Sequence, residues 1–182
     1  MDSEKLSFAD DTFSHSIGSA LLFAIINNDG IDAVKESYRT LKPGGTLVVN
    51  CWGYVPNLDP IQTAAKSTRP PGTPLPRQGL QKWEPPEFLQ NVLVKGGFER
   101  EKIVLKKVEV YCTTVELYHF ATMCWSFIGG TSEVGWLKSD EENWDRAVDI
   151  VVEELKKTVG FEPVEGGKAR LRFVANIAVA TK

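Results

Sequence analysis

Segments of strand character alternate with segments of helical periodicity along this chain, and that alternation limits the folds open to it more than any other feature. Residues 13–26 are dense in Ile, Leu, Phe and Ala without clear alternation, as in a strand buried on both faces, although a core helix has the same look. Asn27, Asn28 and Asp29 offer N-caps to a helix with apolar residues at Ile31, Val34, Tyr38 and Leu41, closed by Pro43-Gly44-Gly45. Residues 46–52 are a short β-branched strand. Pro85-Pro86 opens a helix through Phe88, Leu89, Val92 and Leu93 that stops at Gly96-Gly97. A strand over 102–112 and a helix over 114–125 follow. Ser139 and Glu142 form a capping box before a helix carrying Trp144, Val148, Val151, Leu155 and Val159. The last strand, 169–180, has one strongly apolar face through Leu171, Phe173, Ala175, Ile177 and Val179.

This order predicts an α/β fold with a largely parallel sheet of about four strands covered by helices. Four strands are few for such a fold. Residues 53–86 read as one long irregular loop, because they hold eight of the ten prolines. A chain of 182 residues fits a single domain, 1–182.

Composition excludes several classes of function. The formal charge is −3, from 21 Lys and Arg against 24 Asp and Glu, so neither nucleic acid nor an anionic membrane is attracted electrostatically. The apolar stretches fall short of the roughly 20 residues a membrane span needs. Met1 runs into Asp2, Glu4, Asp10 and Asp11, unlike a secretory leader, which points to a cytoplasmic protein. Cys51, Cys112 and Cys124 fit neither a disulfide framework nor a zinc spacing and read as reduced, buried thiols.

Two motifs carry a family resemblance. The run Leu6-Ser7-Phe8-Ala9-Asp10-Asp11-Thr12-Phe13, followed by Tyr38-Arg39-Thr40-Leu41-Lys42-Pro43-Gly44-Gly45-Thr46-Leu47, resembles the class I S-adenosylmethionine-dependent methyltransferases. The likeness is to the type-11 group, which includes ubiquinone- and menaquinone-biosynthesis enzymes. It implies that 13–26, 46–52, 102–112 and 169–180 correspond to the fourth to seventh strands of the family's sheet, the last antiparallel. The fold expected is therefore a truncated Rossmann-like methyltransferase sheet, with 113–165 as a helical lid over the substrate.

The family's front half has no counterpart here. No Gly-x-Gly lies between a strand and a helix, and the acidic residue that ends the second strand and holds the cofactor ribose is missing. Asp2 alone matches a cofactor-binding position, the family's acid near the adenine amine. Each lost polar contact is worth about 1–3 kcal/mol, so no cofactor is expected unless another chain completes a site for S-adenosylmethionine. Loss of the front half also turns the first strand into an edge, an association hazard. A homodimer through residues 13–26 or the neighbouring helices is the expected remedy.

Candidate chemistry is sparse. His119 and His15 are the candidate acid/base residues, each weighed against a structural histidine. Trp125, Phe127 and Trp136, with Tyr118, suit a flat apolar ligand or simply a core. Trp52 and Tyr54 follow the carboxyl end of a strand, where open α/β sheets bind ligands. Cys51 has no base nearby in sequence, and no metal cluster is present. These features point to a methyltransferase-fold protein of small-molecule metabolism. It would bind an apolar molecule and catalyse a non-methylating step such as isomerisation, cyclisation or dehydration. The alternatives are a non-catalytic partner of a complete methyltransferase and a true methyltransferase completed by another chain.

Overall fold

The computed structural model describes residues 1–25 and 27–182. Strand β1 (Phe13–Ser19) leads through short 3-10 turns into helix α1 (Ile31–Thr40) and strand β2 (Leu41–Tyr54). Helices α2 (Leu58–Thr68) and α3 (Pro86–Lys95) and strand β3 (Ile103–Thr113) follow. Then come α4 (Leu117–Ser126), α5 (Lys138–Glu142), α6 (Trp144–Leu155), β4 (Glu162–Val164) and β5 (Lys168–Thr181). The strands form one mixed sheet in the order β1-β2-β5-β3, with β4 paired to β5. β1 and β2 are parallel, whereas β5 is antiparallel to both β2 and β4. The expected α/β sheet with an antiparallel last strand is therefore present, with five strands because β4 folds back on β5. It is mostly antiparallel rather than largely parallel, since β5 runs against both β2 and β4.

Several elements differ from their sequence expectation. The strand expected over 13–26 stops at Ser19, because Ala20 takes a left-handed conformation (φ 51°) and Leu22–Ala24 form a 3-10 turn. Ile26 lies outside the described residues. Gly30 rather than an Asn or Asp side chain caps α1. The proline-rich stretch contains α2: Pro60 occupies its first turn, where a proline costs no hydrogen bond, and Ile61, Ala64, Ala65 and Thr68 are buried. The capping box sits two residues early, with Asp140 accepting from the backbone of Leu137, and Ser139 falls inside α5. Cys51 and Cys124 are buried as expected, but Cys112 is exposed on β3.

The chain divides into two compact units. The first comprises Met1–Tyr54, Leu80–Glu109 and Val174–Lys182; the second comprises Val55–Gly79 and Val110–Phe173. In the first, Leu47, Val49 and Cys51 of β2 and Ala178 and Ala180 of β5 pack with Ala33 and Val34 of α1 and Leu89, Val92 and Leu93 of α3. Both helices thus cover the same face of the sheet. On its other face none of His15, Ile17, Val48, Asn50, Ile177 and Val179 is fully buried. In the second unit, α2, α4 and α6 pack together around Ile61, Ala121, Trp125, Val148, Val151 and Leu155.

Candidate functional site

The first unit exposes its sheet at β1. Among the described residues, β2 is the only strand that pairs with β1, so the opposite row of backbone groups has no strand beside it. Parallel neighbours share a face. Ser16 beside Leu47 and Gly18 beside Val49 therefore face α1, while Ile17 beside Val48 faces away and is 77% exposed. The residues facing α1 are small and leave a groove of about 160 Å3. Leu6, Leu21, Leu22, Ala33, Val34 and Val49 form its apolar wall, serines 3, 16 and 37 its rim, and among the described residues no charged one lines it.

The groove mouth is held in place from α1. Glu36 accepts a hydrogen bond from the backbone N–H of Leu6 at 2.7 Å, and Arg39 donates to the carbonyls of Leu6 and Phe8 and to Asp10. Arg39 beside Glu36, together with that N–H, holds the Glu36 carboxyl down at about 2. At the carboxyl end of β1, Asn50 accepts from the N–H of Ala20 at 2.9 Å and donates to the Ser19 hydroxyl at 3.2 Å. Asn50 thereby supports the left-handed Ala20 at the strand end, where open α/β sheets place ligands.

Of the residues singled out in sequence, Asp2, His15, Trp52 and Tyr54 lie in the first unit. Asp2 is exposed and accepts from the N–H of Glu4. His15 is exposed on β1 beside the Ser14 hydroxyl, 3.0 Å away. Trp52 and Tyr54 are half-buried at the end of β2. Burial pushes the neighbouring Cys51 thiol up to about 12, which removes it as a nucleophile at neutral pH.

The other residues belong to the second unit. Trp125 is fully buried in its core and donates to the Asp140 carbonyl, whereas Phe127 is 62% exposed. Trp136 is partly exposed against Trp144, ring centres 5.8 Å apart. His119 and Tyr118 lie on the exposed side of α4. The three aromatics thus do not line a common cavity: one is core, and two are surface.

Sequence reasoning missed the most buried charges. Arg69 and Asp140, 1% and 0% exposed, form a two-pronged ion pair at 2.7 Å, and Arg69 also donates to the Ser132 hydroxyl and the Gly135 carbonyl. The pair fastens the Trp136 loop to the end of α2. An acidic run at a helix start, the only signal present, reads equally well as a solvated turn.

S-adenosylmethionine, the cofactor that the resemblance implies, needs more space and more polar partners than the β1 groove presents among the described residues. The β1 groove is about half the size at which small-molecule pockets begin, roughly 300 Å3. Among the described residues no carboxylate lines it to receive ribose hydroxyls, and Asp2 turns its own carboxylate to a local backbone N–H.

No family model matches the sequence, and no curated protein matches it at a significant level. Among solved structures, the chain is similar to a protein of Bacillus halodurans C-125 provisionally named a methyltransferase. The TM-score is 0.54 at 15% identity, over 100% of this chain and 69% of that one. YcgJ of Bacillus subtilis aligns with TM-score 0.49 at 15% identity, over 99% and 69% of the two chains. The cyclase SpnF aligns with TM-score 0.44 at 18% identity, over 99% and 54%. The first of these likenesses shows a fold, that of the methyltransferases.

Proposed function

We propose, from this methyltransferase fold, that the chain is the rear portion of an S-adenosylmethionine-dependent methyltransferase whose cofactor site is completed by another polypeptide lying against β1. The open edge of β1 carries the reading: a parallel strand bounded by an uncharged groove and an exposed Ile17 is what a sheet looks like where its next strand is lacking. Ser19, Ala20 and Asn50 stand at the carboxyl end of that strand, facing the place the completing polypeptide would share. By itself the chain lacks partners for the ribose and carboxylate of the cofactor. Calorimetric titration of the 182-residue chain with S-adenosylmethionine tests this. No saturable heat is expected at micromolar concentrations, and a micromolar Kd would overturn the reading.

A second reading is favoured by the surface of α4. Tyr118 and Met123 are exposed on the same uncharged helix as His119, and Phe127 caps its carboxyl end. Such a surface suits a non-methylating step on an apolar small molecule, with the imidazole as acid or base. Turnover without added cofactor that falls at least about tenfold, one and a half kcal/mol in barrier, in His119→Ala would support it. Unchanged turnover in that variant would remove His119 from the chemistry.

A further inference from the structure

We infer that the edge of β1 takes a strand of different sequence, one that directs a large aliphatic or aromatic side chain into the groove, in preference to a second copy of this chain. The inference rests on the completed-site reading above and names the chemistry of the completing segment.

Three observations carry it. First, β1 lacks the charges and prolines that keep edge strands solitary, and its register slips only at its start, between Phe13 and His15. Phe13–Ser19 contains no charge and no proline, whereas β3 at the other end of the sheet order carries Lys106, Lys107 and Glu109. Second, the groove is apolar and uncharged, so a charged side chain entering it would find no partner. Its volume, about 160 Å3, is that of an apolar cavity able to take a benzene-sized group, known from one of about 150 Å3. Third, the residues β1 turns toward α1, Ser16 and Gly18, are small. Continuing the sheet by antiparallel pairing of two copies requires a two-fold axis perpendicular to it, which leaves the same face of each copy on the same side. The second copy would offer its own Ser14, Ser16 and Gly18 to the groove, and the space would stay empty. A strand with Leu, Ile or Phe at the matching position fills it.

Two acetylated heptapeptides serve as probes, one alternating threonine with leucine and one alternating threonine with serine. Amide shifts of residues 14–18 in the 182-residue chain report binding. The leucine peptide is expected to bind at least roughly tenfold more tightly, the weight of one buried aliphatic side chain. Ser16→Leu, which fills the groove from within, should abolish that preference, while Ser16→Thr should keep it. Equal response to the two peptides, no response, or a stable dimer in light scattering with β1 amides already protected would overturn the inference. These outcomes are separable from the functional reading, because cofactor titration does not depend on the peptide. Leucine-selective binding beside micromolar cofactor affinity would keep the edge chemistry and sink the completed-site function.

Discussion

Glu36 links a sequence motif to a piece of structure. The two runs that carry the family resemblance, Leu6–Phe13 and Tyr38–Leu47, are held together by this carboxylate and by Arg39 one turn later. Arg39 donates to it through Nε and Nη2 at 2.8 Å. The backbone adds two bonds, from Asp11 and Thr12 to the carbonyls of Arg39 and Thr40. The motif was legible in the sequence, but its work was not, since no local pattern tells that a helix glutamate receives an N–H thirty residues away. The carboxyl lies near 2 in the folded chain against an ordinary 4.5. Its contribution is therefore complete above about pH 4.5 and is lost as pH falls toward 2. The Leu6 amide shift is expected to titrate with a midpoint well below 4, with the segment ahead of β1 becoming protease-sensitive through the same range. Glu36→Gln should produce that sensitivity at neutral pH. A Leu6 titration centred at 4.5 would contradict the assignment.

At the scale of elements, the readings that failed did so for tertiary reasons. The apolar run after Phe13 looked like one long buried strand, yet Ala20 is held in a left-handed conformation by Asn50, which lies 30 positions along the chain. The density of prolines hid α2, although Pro60 falls where a helix tolerates it. The capping box was displaced because Asp140 is drawn inward by Arg69. That pair makes a prediction of its own. Asp140→Asn leaves a buried guanidinium without its counter-charge and should cost about 3–5 kcal/mol, read as a lower urea midpoint for the second unit's transition. A loss below about 1 kcal/mol would mean that water reaches Arg69 and that the loop is not fastened as described. The elements with strong periodicity, α1, α3, α6 and β5, were legible because their apolar stripes are what the two cores use.

For the whole molecule, the informative fact is which face of the first unit's sheet the helices of the described residues cover. The crossover from β1 through α1 to β2 and the helix α3 cover one face of the first unit's sheet, and the other face is only half-buried. Parallel crossovers are almost always right-handed, so a sheet that continued past β1 with parallel strands would place its helices on that second face. Strand order would then reverse at β1, which is where doubly wound sheets bind their ligands. The scarcity of strands in the sequence already hinted at this, and the missing glycine motif sharpened it. Neither could show that the groove beside β1 is uncharged, because its wall comes from the N-terminal loop, β1, α1 and β2 together. Hydrogen exchange of the β1 amides in the isolated 182-residue chain tests the open edge most directly. Protection should alternate along residues 13–19, with amides bonded to β2 slow and the outward ones exchanging nearly as in an unfolded peptide. Uniformly slow exchange across the strand would show that something already covers the edge, and the account of an incomplete sheet would fail.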